Sequence, residues 1–287
     1  MSIETIPTAP ETEATARGET LDSIDRRPGL ARHAGKLLRP VATKTIAVAV
    51  LLVSWEIVPR AGIVDQTFLS PFSEVLRALV ELAGSGQLAE HVEASLTRSL
   101  VGFALAVLFA VPLGVLIGWY KPVSDLLTPL VQLFLNTAAL ALLPVFVLIL
   151  GIGETSKIAI VCYACTWPIL LNTITAVRNV DPTLLKLARS LDLSAPLLFA
   201  KVILPASVPT IFTGIRLAGA SAIVVVIAAE MVGAKAGLGY LINASQYNFA
   251  IPQMYAGIVA ISMIGVAFNQ LLVAIERRFT SWRTESR

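Results

Sequence analysis

The sequence predicts an all-α membrane protein that crosses the bilayer six times. Three observations carry that reading. Only 14% of the 287 residues are charged, against about 25% in an average soluble domain, too few to clothe a water-exposed surface. Mean hydropathy is high, at +0.77. The apolar residues gather into stretches near the length that a helix needs to traverse the hydrocarbon layer, about 20 residues. Such a composition excludes a disordered chain, a disulfide-stapled secreted domain and a nucleic-acid module. Cys162 and Cys165 lie in an apolar run without a second Cys or His pair. They read as small buried side chains rather than as a zinc site or a disulfide.

The elements follow in order. Residues 1–40 mix acids such as Glu4, Glu11, Glu13 and Glu19 with Arg26, Arg27, Arg32, Lys36 and Arg39. A secretory signal runs from a basic start straight into an apolar core; this stretch does not, and reads as a disordered cytosolic tail. Residues 41–287 then form one membrane domain, with spans expected over 41–58, 100–120, 126–150, 157–177, 208–232 and 254–275. Lys44 and Glu56 shorten the first. Pro144 predicts a kink in the third, because proline removes a backbone donor. Between the first two spans, Phe72, Val75, Leu76, Leu79 and Val80 recur at helical spacing with Glu74, Arg77 and Glu81 opposite. That pattern predicts a short amphipathic helix with Pro71 in its first turn and Ser70 as its cap. Lys121, Arg178, Lys186, Arg189, Lys201, Arg277, Arg278, Arg283 and Arg287 fall on the side of the tail, and Arg60, Arg77, Arg98 and Lys235 on the other. The basic excess places both termini in the cytosol.

Residues for chemistry are scarce. His33 and His91 are the two histidines, and no HExxH, GxSxG or metal-ligand spacing occurs. The segment Gly151 to Lys157 resembles a phosphate loop but lacks its Gly-Lys-Ser/Thr ending. The chain reads as a non-enzyme with no catalytic or metal-ligating residue. Charges within spans cost several kcal/mol at mid-bilayer, which singles out Glu56, Arg216 and Glu230. The first two sit near helix ends. Glu230 has two readings, a helix-end residue at the outer interface or a gate. Gly214, Ala218 and Ala222 form a row of small residues four apart. It suits either a tight intramolecular bundle or a helix lining a subunit interface or path.

The loop 178–207 carries the most information. Asp181 can cap a helix with Pro182 in its first turn. Leu184, Leu185, Ala188 and Leu191 make an apolar stripe, with Lys186 and Arg189 off it. Ser194 caps a second short helix that ends before Pro205. A striped helix with no lipid to bury in predicts a soluble partner whose groove accepts it.

Lys186-Leu187-Ala188-Arg189-Ser190-Leu191-Asp192-Leu193-Ser194, followed by Val202-Ile203-Leu204-Pro205, resembles the "EAA…G…I-x-LP" loop of ABC importer permeases. Ser54-Trp55-Glu56, Ser95 to Arg98, Pro112 to Gly118, Gly151-Ile152-Gly153-Glu154, Gly214 to Ala218, Ala229-Glu230-Met231, Gly237-Leu238-Gly239 and Glu276 to Trp282 resemble the nitrate, sulfonate and taurine branch. The resemblance implies a type I importer fold in the bacterial inner membrane. It also implies a homodimer of permeases, two cytosolic ABC ATPase subunits that bind ATP and Mg, and an external solute-binding protein, with no cofactor in this chain. Leu184, Leu185, Lys186, Ala188, Arg189, Ser190, Leu191, Asp192, Leu193 and Ser194 would form the coupling helix and its exit. Lys186 stands where the pattern has Glu, and Asp192 where it has Gly; Asp tolerates the left-handed turn that Gly favours. Polar candidates for the path or gate are Asn136, Thr137, Ser221 and Glu230. The implied substrate is a sulfonate or other small oxyanion, with a neutral or aromatic solute as the alternative. A carrier driven by an ion gradient is the rival class, motivated by Glu56, Arg216 and Glu230.

Overall fold

A computed structural model describes residues 46–279, and its regular structure is helical, with no strand among the described residues. The tail expected over 1–40 lies outside them. Contacts divide the chain between Val53 and Ser54, and all packing given below belongs to the part that starts at Ser54. Residues 46–60 are helical (α1). There follow α2 (Phe72–Gly84), α3 (Gln87–Trp119), α4 (Lys121–Leu135), a 3-10 turn at Ala139–Leu142, α5 (Leu143–Leu150) and α6 (Glu154–Arg178). Then come α7 (Pro182–Ser190), α8 (Ala195–Leu198), α9 (Leu204–Glu230), α10 (Leu238–Tyr247) and α11 (Ile251–Phe279).

Four helical runs among the described residues are long and apolar enough to cross a membrane: α3, α6, α11 and Ala195–Glu230. A fifth crossing results if α4 and Ala139–Leu150, bent by 85° to each other, count as one broken span. The span expected over 41–58 is described only from residue 46. Six spans are therefore not counted among the described residues.

Several local expectations need correction. The break in the third span falls at Asn136–Ala138, not at Pro144, which opens the first turn of α5 where a missing N–H costs nothing. The chain parts where polar side chains can serve the loose end of α4. Asn136 Nδ2 donates to the Gln132 carbonyl (2.7 Å) and Thr137 Oγ1 to that of Leu133 (3.1 Å). The helix after Ser194 does not stop before Pro205 but runs on to Glu230. A π-helical turn at Phe199–Ile203 precedes the proline, and its wider spacing relieves the ring's pressure on the carbonyl one turn back. Ser194 occupies the N-cap without a side-chain bond. The second crossing starts earlier than residue 100, so Ser95 to Arg98 belong to a helix and not to a loop.

The amphipathic helix α2 forms as expected, with its face rotated. Val75, Ala78 and Leu82 are buried, whereas Leu76 and Val80 are exposed. Pro71, not Ser70, is at the N-cap. Glu56 supplies the missing cap, accepting from Ser73 N (2.9 Å) and Ser73 Oγ (3.0 Å) while pairing with Arg60 at 2.7 Å. Trp55 donates to the Ser70 carbonyl and lies between the rings of Phe72 and Tyr255. This group joins Leu238, Leu241, Ala256 and Ala260 of α10 and α11 in a satellite core.

The main core lies along α6, with α3 on one side and α9 on the other. On α3, Gly102, Ala106, Ala110, Gly114 and Gly118 form a ridge of small residues four apart. A β-carbon on Gly102 would stand 2.8 Å from Val161, and one on Gly114 2.7 Å from Thr173. On α9, the row Gly214, Ala218 and Ala222 meets α6 as well: a β-carbon at Gly214 would lie 2.6 Å from Asn172 Cβ, and Cys165 Sγ reaches the Ala218 carbonyl. The row is thus an intramolecular seam. Lipid gives helices no hydrophobic reason to associate, so such close backbone approach is the main source of cohesion.

Gly114→Val should overpack this seam and lower the stability of the purified protein by about 1–3 kcal/mol. Gly265→Ala, whose nearest neighbour would be 4.0 Å away, should leave it unchanged or slightly higher. Thermal denaturation in detergent measures both.

Candidate functional site

Two constructions stand at opposite ends of the α3–α6–α9 core. From Arg98 to Trp119 along α3 is about 30 Å at 1.5 Å per residue, close to the hydrocarbon thickness of a bilayer.

At one end is a buried ion cluster. Arg98 continues the small-residue ridge one step before Gly102, so its side chain enters the core and is only 5% exposed. Its Nε and Nη2 donate to the two oxygens of Glu154 (2.5 and 2.7 Å), and its Nη1 donates to Glu230 Oε1 and the Ala236 carbonyl, both at 2.7 Å. Glu230 is fully enclosed. It also accepts from Ser95 Oγ (2.7 Å) and from the Gly239 N–H (2.9 Å). Lys157 is buried beside the cluster, with Nζ on the Gly153 carbonyl at 3.0 Å. Arg98 thus meets two carboxylates, with Lys157 close enough to feel their charge, and such pairing is the condition on which buried charge is tolerated.

The same side chains cap α10. Ser95 Oγ accepts from the Leu238 N–H (2.8 Å) and His91 Nδ1 from that of Gly237 (3.2 Å), which satisfies donors that a helix start leaves free. This explains Gly237-Leu238-Gly239. Gly237 has φ +122°, and a β-carbon there would overlap the Glu230 carboxylate; one on Gly239 would overlap the Ile227 carbonyl. Only glycine lets the strand of amides lie against the buried acid.

At the other end, α7 is held out from the bundle by two caps. Asp181 Oδ1 accepts from the Thr183 N–H (2.7 Å), as the sequence predicts. At the exit, Asp192 has φ +48° and the Leu193 N–H bonds back to the Ala188 carbonyl (3.3 Å). That is a Schellman turn with Asp at the position glycine usually takes. The expected stripe divides. Leu185 and Ala188 turn inward, Leu185 joining Val177, Val180, Ile203, Trp119 and Phe199 in a small core. Leu184, Leu187 and Leu191 are 42%, 59% and 64% exposed. Leu187 is the residue that sequence reasoning missed, although its spacing from Leu184 and Leu191 puts it on their face. Lys186, Ser190, Asp192 and Ser194 are exposed and Leu193 half-buried, while the side chain of Arg189 lies outside the description.

The polar path candidates are not gathered in one place. Asn136 and Thr137 sit together at the break after α4 and bond to their own helix. Ser221 lies half-exposed within α9, with Oγ on the Leu217 carbonyl. Glu230 is locked in the ion cluster. Beside the break, Phe134 stacks on Trp167, and Tyr163 touches both Trp167 and Phe146. The Trp167 indole N–H is the buried side-chain donor without a partner among the described residues. Arg216 pairs with Glu276 of α11 at 3.3 Å. All three charges that suggested an ion-driven carrier therefore serve as caps or struts.

An apolar helical bundle that gathers charges into a buried cluster at one end and presents a capped helix at the other has the build of a multi-pass membrane component. Residues 110–281 match the family of the binding-protein-dependent transport system inner membrane component. The chain belongs to that family and is a permease subunit of an ABC importer, a multi-pass protein of the inner membrane. It is 39% identical over 210 residues to a probable ABC transporter permease protein of Brucella abortus (strain 2308), covering 73% of this chain and 84% of that one. It is 34% identical over 254 residues to the taurine transport system permease protein TauC of Escherichia coli (strain K12), covering 87% and 92%. A putative aliphatic sulfonates transport permease protein, SsuC of Bacillus subtilis (strain 168), is 30% identical over 285 residues, covering 99% and 98%. Among solved structures, an inward-facing MetNI methionine ABC transporter superposes with TM-score 0.58 at 18% identity, covering 69% of this chain and 98% of that one; this likeness concerns the fold.

Glu230→Ala should remove one of the two carboxylates that hold Arg98 and the acceptor shared by Ser95 and the Gly239 N–H, and cost about 3–5 kcal/mol, seen as a large fall in thermal midpoint. Asp181 gives a pH test. The Thr183 N–H holds its carboxyl below the usual carboxylate range, so the cap stabilises α7 at neutral pH and is lost as pH falls through the lowered folded value. Protection of the Leu184 to Leu187 amides, taken relative to their intrinsic exchange rate at each pH, should therefore fall only below about pH 4, and Asp181→Asn should flatten that dependence.

Proposed function

We propose that this chain forms, as a homodimer, the membrane path of an importer for a small organosulfonate or similar oxyanion. Two cytosolic ABC subunits would bind ATP and Mg, and an external binding protein would deliver the solute. The observation that carries the reading is the exposed Leu184–Leu187–Leu191 face, an apolar surface on a helix pinned at both ends and presented away from its own core. A groove on an ATPase subunit is the partner that fits it. The end bearing α7, and with it both termini, would then face the cytosol, and the Arg98 cluster the outside. Two relatives, a taurine transport permease and a putative aliphatic sulfonates transport permease, support the substrate class.

The mechanism follows from stiffness. Leu185 and Ala188 couple α7 to the ends of α3, α6 and the Ala195–Glu230 run, and the small-residue seams make these helices one rigid unit. Closure of the ATPases would push on the exposed leucines and rock this unit as a body between inward-open and outward-open states. Asn136, Thr137 and Ser221 would offer polar contacts along the path. Glu230, enclosed as it is, would act at the outer gate by fixing Arg98 and α10 and not as a solute ligand.

Leu187→Asp should reduce ATP-driven taurine uptake, measured in vesicles holding permease, ATPase and binding protein, by at least about tenfold without shifting the permease's own thermal midpoint. Ala188→Arg should lower both, because it faces inward. Normal uptake by Leu187→Asp would refute the coupling role.

A further inference from the structure

Around Arg98 the two acids are not alike. Glu230 is enclosed, whereas the Glu154 side chain is 64% exposed over a guanidinium that is 5% exposed. A carboxylate with one side in water is thus tethered across the mouth of a buried arginine. Its bidentate contact is the geometry by which arginine also holds sulfonate, nitrate or phosphate groups. Charge points the same way. Arg98 and Lys157 balance Glu154 and Glu230; if Glu154 leaves, the cluster carries one positive charge and is matched to a monoanion.

The backbone permits that departure. Glu154 follows Gly151, at φ +81°, and Gly153, and a β-carbon on either glycine would meet open space. Gly153 is the N-cap of the long helix α6 and offers it no side-chain cap. Glu154 itself opens that helix, where the dipole favours a negative charge. Meanwhile Glu230 and the Ala236 carbonyl keep Arg98 in place whichever anion lies on its fork, so exchange never leaves the guanidinium without a partner.

We propose that Glu154 is a tethered stand-in for the solute: Arg98 grips it when the outer mouth is empty, and the oxyanion group of an arriving solute displaces it into water. The anion site therefore consists of the Arg98 fork with Lys157 beside it, and Glu154 is its resident competitor. This rests on the oxyanion-importer reading and extends it to a particular subsite.

The test uses full-length permease in complex with its ATPase. The thermal midpoint is followed against sodium methanesulfonate at constant ionic strength, with sodium chloride as balancing salt. Glu154→Gln should tighten the apparent methanesulfonate affinity at least about tenfold relative to the unmodified protein. Adding Arg98→Lys, which keeps the charge and loses the fork, should cancel that gain. If that double variant does not fold, Lys157→Gln with Glu154→Gln should cancel it by removing the spare positive charge. Equal response of the unmodified and Glu154→Gln proteins, or a gain that survives both second substitutions, overturns the proposal. ATP-driven taurine or methanesulfonate uptake is measured alongside. Uptake without the Glu154-dependent change in affinity sinks the tethered-anion site alone, whereas no ATP-driven uptake of any oxyanion sinks the reading beneath it.

Discussion

Close approach of α3 and α9 to α6 is the constraint on which the rest of this permease depends. In water, apolar faces would be driven together whatever their shape. Between lipid chains that drive is absent, and the helices must gain by touching each other more closely than they touch lipid. Gly102, Gly114 and Gly118 on α3 and Gly214 on α9 allow that contact, since a single β-carbon at each would press into the facing helix. The same ridge, continued one turn, carries Arg98 into the core. Packing and electrostatics are therefore parts of one arrangement: without the close seam there is no buried place for the ion cluster.

The two ends of this seam have opposite designs. At the Arg98 end, hydrogen-bonding groups are turned inward: serine, histidine and the amides of α10 are consumed around Glu230, and the surface is tied to α9, α10 and α6 together. At the α7 end, the caps use Asp181 and Asp192 to hold a short helix outward, leaving leucines in the open. A body that is rigid between these two ends would transmit a push without a flexible relay, which is what the proposed coupling to a separate ATPase requires.

Much of this was legible from residue patterns. The apolar stretches located four of the crossings, Asp181-Pro182 announced the start of α7, and the resemblance to the permease loop, with Asp192 in place of its glycine, implied the left-handed exit that the backbone adopts. What pattern misplaced has physical causes. Period alone cannot tell which part of a wide apolar stripe faces the protein, so Leu185 and Ala188 were grouped with Leu184 and Leu191, and Leu187 was left out. Pro144 drew attention as a breaker, yet a proline in a first turn breaks nothing. Asn136 and Thr137, which can bond loose carbonyls, were the residues that let the helix end.

By itself, the sequence determined the class of fold, the positions of four crossings and the presence of a capped, striped loop helix, because hydropathy, caps and turn preferences act over a few neighbouring residues. Tertiary structure alone decided that Arg98, Glu154 and Glu230, up to 132 positions apart, form one cluster, and that Gly237 makes room for a carboxylate and Gly239 for the Ile227 carbonyl. Charges in an apolar medium act across space and need partners wherever the chain can bring them, and no local pattern records which distant residue will be there.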